Sequence, residues 1–253
     1  MITVVTVVYN SLDDLKYTVL DLMGQSTLDF ELVIIDGNST DGTGLYLAEL
    51  KAKNIFKNLK IVIEDDLGIY DAMNKGVLNS TREYIVFMNA GDRFYSTNSI
   101  EGISGVLRKK KSDFVFGDTI IQYPLNFCYK KANVTFFDKG THLHFDKAFS
   151  HQSLVCKRDI LLNNSFDLNY PITADFKFYH RLLKGGSNFD YIRLPISVFA
   201  TGGVSDMKRL SVHLEKLHFM RREYRFSIRI LLHYFRVITF EMFKAPLRGW
   251  YRK

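Results

Sequence analysis

The sequence is poor in the residues that build small or specialised scaffolds. Its 253 residues include only two cysteines and four prolines. Cys128 and Cys156 cannot staple a disulfide-dense domain and make no zinc pattern, so they suit a reducing compartment. With Pro this scarce and Gly at 16, collagen-like repeats, linkers and low-complexity tracts are excluded. No uncharged apolar run reaches the roughly 18 residues of a spanning helix. The opening segment, Met1–Asn10, has neither a basic flank nor a small-residue cleavage site, so it is expected to be a buried strand rather than a targeting signal. Glycine loops for phosphate are missing too. No G-x-G-x-x-G follows the first strand and no G-x-x-x-x-G-K-[ST] occurs, which excludes nicotinamide dinucleotide folds and P-loop NTPases.

What is present is globular, at 47% hydrophobic and 24% charged, enough for one large domain or one domain with an appendage. The net charge of +7 is unevenly placed. Twelve Lys/Arg against four Asp/Glu lie after residue 205, a formal +8, leaving the first 205 residues at −1. An anionic partner is therefore to be sought at the carboxyl-terminal end. A near-neutral body offers no extended basic groove, so nucleic acid is not expected as a partner.

The first half alternates strand and helix patterns. Ile2–Tyr9 is a β-branched run, followed by a helical face of Leu12, Leu15, Val19 and Leu22 with Ser11 as its N-cap. Glu31–Ile35, Leu59–Ile63, Tyr84–Met88 and Asp113–Phe116 read as further strands. Helices are expected around Leu45–Leu50 and over Ile69–Leu78. Short strands separated by helices predict βαβ units and a mostly parallel sheet. Thr119–Phe149 is expected to form edge strands and a long loop, Thr173–Lys184 a helix, and Tyr191–Ala200 one strand or two.

Ligands of open parallel sheets sit at the carboxyl ends of strands. Here three strand ends carry acids or amides: Tyr9-Asn10, Asp36–Thr43 and Asn89–Asp92. One such loop is ordinary turn chemistry; three in order point to a polar ligand. A diphosphate without a glycine cradle calls for a divalent metal with few protein ligands, and Asp92 is the best-placed carboxylate. Asp41 reads as a helix cap or loop brace. Asp118 faces the acceptor or caps a turn. His142 and His144 lack a third ligand at fixed spacing.

Three segments, Val33–Thr43 (VIIDGNSTDGT), Asp66–Gly76 (DLGIYDAMNKG) and Tyr84–Asp92 (YIVFMNAGD), together resemble the family 2 glycosyltransferases. The nearest likeness is to bacterial enzymes of capsule, O-antigen or colanic-acid synthesis. The resemblance spans residues 2 to about 205. It implies a GT-A fold, a Rossmann-like and mostly parallel α/β sheet flanked by helices. It implies a nucleotide-binding half (1–118), an acceptor-side half (119–205) and a helical tail (206–253). Thr6, Val8 and Asn10 would border the nucleobase, with Asp36 on base or ribose and Asp66 nearby. Asp71 and Asn74 would face the nucleotide and Lys75 its phosphates. Asn89 and Asp92 occupy the D-x-D-like position, where the usual second carboxylate is missing, so Asp92 would hold Mn²⁺ or Mg²⁺ with the diphosphate. Family members often carry a second acid after Asp36, where this chain has Gly37. Asp175, before an acceptor-side helix, would be the catalytic base, or else would only support that helix's first turn. His151 would contact diphosphate or acceptor, or sit bonded in the core. Arg181, with Lys177, would meet phosphate or be solvated.

In the tail, Arg222, Arg225, Arg229, His233 and Arg236 recur as one helical stripe beside Leu231, Phe235, Ile238 and Met242. A basic amphipathic helix suits an anionic membrane surface; the alternative is packing on the catalytic domain or on a second copy of the chain. Four N-x-[ST] sequons, at Asn38, Asn79, Asn133 and Asn163, argue against a eukaryotic secretory pathway, since a glycan on Asn38 would block the expected nucleotide loop. The expectation is a metal-dependent inverting glycosyltransferase of the bacterial cytoplasm, peripheral at the inner membrane. Its donor would be a nucleotide sugar, foremost a UDP-sugar, and its acceptor a lipid-linked oligosaccharide. The alternatives are a degenerate sugar-nucleotide-binding or scaffolding subunit, and a nucleotidyltransferase.

Overall fold

A computed structural model describes residues 1–123, 126–130, 132, 150–201, 208–223 and 228–248. His142, His144, Asn133, Arg225, Trp250 and Tyr251 lie outside the described residues. The sheet order is β3-β2-β1-β4-β8-β6-β9-β5, with β7 paired to β6. The parallel half comprises β1 (Ile2–Val8), β2 (Glu31–Asp36), β3 (Leu59–Ile63) and β4 (Tyr84–Phe87). β1 and β2 are buried along their whole length, as expected of β-branched strands covered on both faces. Beyond β4 the sheet turns mixed. β8 (Leu154–Lys157) runs antiparallel to both β4 and β6 (Phe114–Gln122), and β6 runs parallel to β9 (Phe189–Ala200). β5 (Arg93–Phe94) closes the far edge on β9, and β7 (Phe127–Lys130) flanks β6.

Helices cover both faces. Valines alternate across β1, so Val4 and Val8 join one core with Leu15, Val19 and Leu22 of α1 (Leu12–Met23). Leu47 and Leu50 of α2 (Thr43–Lys53) and Ile103 and Leu107 of α4 (Ser99–Lys110) complete that core. Val5 and Val7 face the other way, onto α3 (Ile69–Asn79), α5 (Arg158–Asn163), α6 (Ala174–Lys184), α7 (Arg209–Glu223) and α8 (Ile228–Arg248). The α3 helix lies close on β1 because position 76 is glycine. A Cβ there would collide with the Val5 side chain.

Several sequence expectations change here. The strand expected at Asp113–Phe116 runs on to Gln122, so Thr119 lies inside the sheet between neighbours and not at an edge. Gly117 and Asp118 form a register shift against β9; a Cβ at 117 would strike Ile196 and the Leu194 carbonyl, so the close approach requires glycine. One continuous strand thus crosses the expected 118/119 boundary. Ser11 does not cap α1 through its side chain; the Leu12 N–H instead donates to Asp41 Oδ2 at 2.9 Å. Asp41 also accepts from the Thr43 N–H and hydroxyl, which makes it a brace between two loops.

The tail is not a loose appendage. Phe219 and Met220 of α7 and Ile230 and Tyr234 of α8 are buried in the core. The expected single basic stripe is divided, with Arg222 on α7 and Arg229, His233 and Arg236 on α8. Ile228, Leu232, Phe235 and Met242 on α8 are exposed, whereas Ile230 and Tyr234 are the anchors. Among the described residues no helix is long and apolar enough to cross a membrane.

Candidate active site

The turn after β4 is held from below by a helix. Thr18, buried on the otherwise apolar face of α1, donates its hydroxyl to the Asp92 carbonyl at 2.8 Å and accepts from the Gly91 N–H at 3.0 Å. Gly91 takes φ +92°, which a side chain would strain. The turn closes with Asp92 N–H on the Asn89 carbonyl at 2.9 Å. Asp92 is thereby fixed in place and nearly sealed from solvent. Burial pushes its carboxyl up to about 6, against the opposing pull of His151 and Gln152. Gln152 donates to its Oδ1 at 3.2 Å.

An imidazole lies between the turn that carries Asp92 and a second carboxylate. His151 sits on a 3₁₀ turn (His151–Ser153) after the long loop, with Nδ1 3.4 Å from Asp175 Oδ2 and Nε2 3.4 Å from the Asn89 amide. Burial works to lower its pKa, but Asp175 and then Asp92 outweigh it, so the ring is held above the ordinary histidine range. Asp175, in the first turn of α6, accepts from the Tyr70 hydroxyl at 2.9 Å and the Phe176 N–H at 2.7 Å on Oδ1. Burial alone would raise its carboxyl; the bonds and charge of His151 and the Tyr70 hydroxyl prevail and hold it below the usual carboxylate range. It stays ionised and can accept a proton only on the Oδ2 side. The amino end of α6 is capped from the tail: Glu215 Oε2 on α7 accepts from Ile172 N–H, Thr173 N–H and the Thr173 hydroxyl at 3.1, 3.0 and 3.0 Å.

The other expected residues divide into two groups. Asp36 is fully buried at the end of β2; Oδ1 accepts from the Ser39 N–H and hydroxyl, while Oδ2 has no hydrogen-bond partner. The Asn89 Oδ1 is likewise buried and unpartnered. Unsatisfied buried oxygens are uncommon and costly, and among the described residues these two mark the ends of β2 and β4 as places where a donor group is wanted. Asn10 ties the first two strand ends, its N–H on Ser39 Oγ at 2.8 Å and its side chain accepting the Thr40 N–H at 2.8 Å. Asp66 lies over Gly37, in the space a side chain at 37 would need. The carboxylate expected beside Asp36 is therefore supplied from the loop after β3.

The second group is engaged with protein neighbours or packed in the core. Thr6 and Val8 are sealed on the α1 face of β1, because β alternation turns them inward with Val4. Asn74 clips the chain at Phe166, its side chain bonded to both the N–H and the carbonyl of that residue at 2.9 Å. Asp71 and Lys75 pair with each other at 3.4 Å, and Lys75 also with Glu64 at 3.2 Å, so they brace the loop after β3. Arg181 lines a small cleft with Asp167 and Lys177, away from Asp175, because six positions along a helix turn the two side chains to different faces. Lys177 is occupied by Asp167 and stacks 4.4 Å from the Tyr170 ring. Asp118 is a core acceptor for Tyr129, Tyr191 and the Ala132 N–H. Thr18, Tyr70 and Glu215 carry the site without standing out in the sequence; a lone threonine on an apolar helix face is the one legible sign.

The model of glycosyl transferase family 2 matches residues 3–158. The chain belongs to that family. A PGL/p-HBAD biosynthesis glycosyltransferase of Mycobacterium bovis is 34% identical over 162 residues, 63% of this chain and 60% of that protein's length. An uncharacterized glycosyltransferase of Mycobacterium tuberculosis is 26% identical over 92% of this chain and 88% of its own. Among solved structures, S. aureus TarS 1–349 has a TM-score of 0.68 at 14% identity, covering 92% of this chain and 70% of that one. The mannosyltransferase PcManGT of Pyrobaculum calidifontis, in complex with GDP-Man and Mn²⁺, has a TM-score of 0.68 at 17% identity, covering 89% and 64%. The fold is that of the GT-A glycosyltransferases, and the chain spans about 60% of the length of the curated relative it matches at 34% identity.

Proposed function

We propose that the protein transfers a glycosyl group with inversion from a nucleotide sugar to an acceptor hydroxyl. The observation that carries this reading is a pair of carboxylates of opposite proton affinity, Asp92 bonded by Gln152 and Asp175 facing His151, whose other ring nitrogen meets Asn89 on the Asp92 turn. Asp36, Asp66 and Asn10 would receive the nucleoside over the ends of β1 and β2. Structural neighbours in complex with UDP, UDP-GlcNAc, or GDP-Man and Mn²⁺ support a nucleotide-sugar donor, and a UDP-sugar is our first choice.

A divalent cation, Mn²⁺ or Mg²⁺, fits at Asp92. At this carboxylate desolvation outweighs the charge of His151 and the bond from Gln152, so its negative charge is incompletely compensated. No group of three or more protein ligands exists among the described residues, so the diphosphate would provide most of the coordination. Such an ion neutralises charge developing on the leaving diphosphate. The residues do the rest. His151, its proton affinity raised by Asp175 and Asp92, can donate a hydrogen bond on that side. Asp175 Oδ2 takes the proton of the acceptor hydroxyl as its oxygen bonds to the anomeric carbon and the bond to the diphosphate breaks. Tyr70 and Glu215 hold Asp175 in place.

The acceptor is read as a lipid-linked oligosaccharide in bacterial surface polysaccharide synthesis, at the cytoplasmic face of the inner membrane. In support, α8 exposes Ile228, Leu232, Phe235 and Met242 at helical spacing, with Arg229 and Arg236 beside them. A cholesterol galactosyltransferase of Borreliella burgdorferi, 27% identical over 48% of this chain and 33% of its own length, is a relative named for a lipid acceptor. Thermal shift against a panel of sugar nucleotides with Mn²⁺, followed by donor hydrolysis on the hit, tests the reading. Hydrolysis that needs both metal and Asp175 supports it; nucleotide binding without turnover would favour a sugar-nucleotide-binding scaffold.

A further inference from the structure

A buried hydroxyl network holds one turn of the site, and the chemistry above does not use it. Ser153 closes the 3₁₀ turn that carries His151 and Gln152, and its side chain is sealed from solvent. Its Oγ lies 2.9 Å from the Asp118 carbonyl oxygen, 2.8 Å from Thr119 Oγ1 and 2.6 Å from Ser197 Oγ. Asp118, Thr119 and Ser197 are buried too. A carbonyl oxygen only accepts, and a serine hydroxyl has one proton and two lone pairs. Ser153 therefore donates to Asp118 and accepts from both Thr119 and Ser197. Its bonding capacity is filled, and the network has one proton arrangement.

Ser197 is tied to the other turn as well. On β9 it pairs with Phe94 of β5, two residues after Asp92, and the Tyr95 N–H donates to the Ile196 carbonyl at 2.9 Å. The turn with Asp92 and the turn with Gln152 lie 60 residues apart in the chain. Ser197 holds the first through backbone pairing and the second through its hydroxyl. Across the gap runs the bond from Gln152 Nε2 to Asp92 Oδ1, at 3.2 Å. At that length, the upper end for an N–H···O bond, a shift of about half an ångström breaks it. Ser153 alone would satisfy the Asp118 carbonyl. The two further hydroxyls, one from β6 and one from β9, fix the turn in two more directions, where valine or alanine would leave no buried hydroxyl to satisfy.

We propose that Ser153, Thr119 and Ser197 are positioning residues that set Gln152 on Asp92, and through it the carboxylate that receives the cation. This rests on the proposed function, under which Asp92 holds that cation. Gln152 fixes the carboxylate through Oδ1 and leaves Oδ2 for the ion. A carboxylate already held in place loses less freedom when the ion binds, so the network should strengthen metal affinity without touching the metal.

The test compares Ser197→Ala and Thr119→Val, each of which removes one donated bond without adding bulk, with the unmodified chain and with Gln152→Met. Two readouts are taken. In the metal-free protein, the NMR signals of the Gln152 side-chain amide should move towards those of a free amide in both hydroxyl variants. In calorimetric titration of Mn²⁺ into the full chain holding UDP or GDP, whichever raises its melting temperature, each should bind Mn²⁺ about threefold to tenfold more weakly, the worth of one neutral hydrogen bond. The same substitutions made on Gln152→Met should weaken Mn²⁺ binding no further, because residues acting through one shared partner are not additive. Additive losses in the double variants, or unmoved Gln152 signals, overturn the proposal. A lowered melting temperature with Mn²⁺ affinity intact also overturns it, since that pattern belongs to a network that only stabilises the fold. Moved Gln152 signals in a chain whose unmodified form binds no Mn²⁺ with either nucleotide defeat the cation at Asp92, and leave the positioning of Gln152 standing.

Discussion

Replacing Asp92 by Asn should stabilise the ligand-free protein while removing its response to metal. The carboxyl titrates at about 6 in the folded chain because burial disfavours the anion, against about 3.9 in an unfolded one. The folded state therefore holds the proton more tightly. Its ionisation costs nothing below about pH 4, costs progressively more as pH rises to about 6, and costs a constant amount above that. Two pKa units correspond to about 2.7 kcal/mol, so about 2–3 kcal/mol is the expected penalty at pH 8. The amide of Asn keeps the shape and carries no charge. At about 2–4 °C per kcal/mol for a chain of this size, the variant's melting temperature at pH 8 in chelator should rise by about 4–12 °C. Near pH 4.5 the difference should shrink. With Mn²⁺ and nucleoside diphosphate the ranking should reverse, since only the carboxylate can anchor the cation. The assay is thermal melting at both pH values, with chelator and with metal plus nucleotide. A variant no more stable than the parent at pH 8 in chelator would show that His151 and Gln152 fully compensate the buried charge. A metal-dependent gain that survives in the variant would remove Asp92 from the metal site.

Asp175→Asn should keep donor affinity and slow transfer by at least about 10²-fold, the lower range for general base catalysis; near-normal turnover would return Asp175 to the role of helix support. Tyr70→Phe removes a hydrogen bond that lowers the Asp175 pKa, so the acid limb of the kcat/KM profile should move to higher pH; an unmoved limb would refute that coupling. Glu215→Ala leaves the amino end of α6 uncapped and should cost about 1–2 kcal/mol in denaturant unfolding, together with a fall in kcat; for the same reason truncation at residue 206 should yield a damaged enzyme and not a soluble active one. Gly76→Ala should destabilise by about 1–3 kcal/mol through overpacking against Val5, and a neutral result would mean that α3 can shift away from β1.

The sequence by itself determined the nucleotide half. β-branched runs, helical periodicity and polar strand ends are local signals, and for β1 to β4 local preference and tertiary demand agree. The motifs around Asp36, Asp66 and Asp92 were legible because each is a short run of turn-forming polar residues directly after an apolar strand. Tertiary structure decided the rest. Whether Thr6, Asn74 or Arg181 meets a ligand or a neighbour depends on which face each presents after folding, and periodicity gives the face without its occupant. Asn74 finds Phe166 across 92 residues, and Tyr70 finds Asp175 across 105. The tail shows the same limit: its charge pattern was plain in the sequence, but the break between α7 and α8 and the Glu215 cap on α6 are long-range matters. Burial too was set only by packing, and it is burial that raises Asp92 while the contacts of His151 and Tyr70 hold Asp175 down, giving two carboxylates of one residue type opposite affinities for a proton.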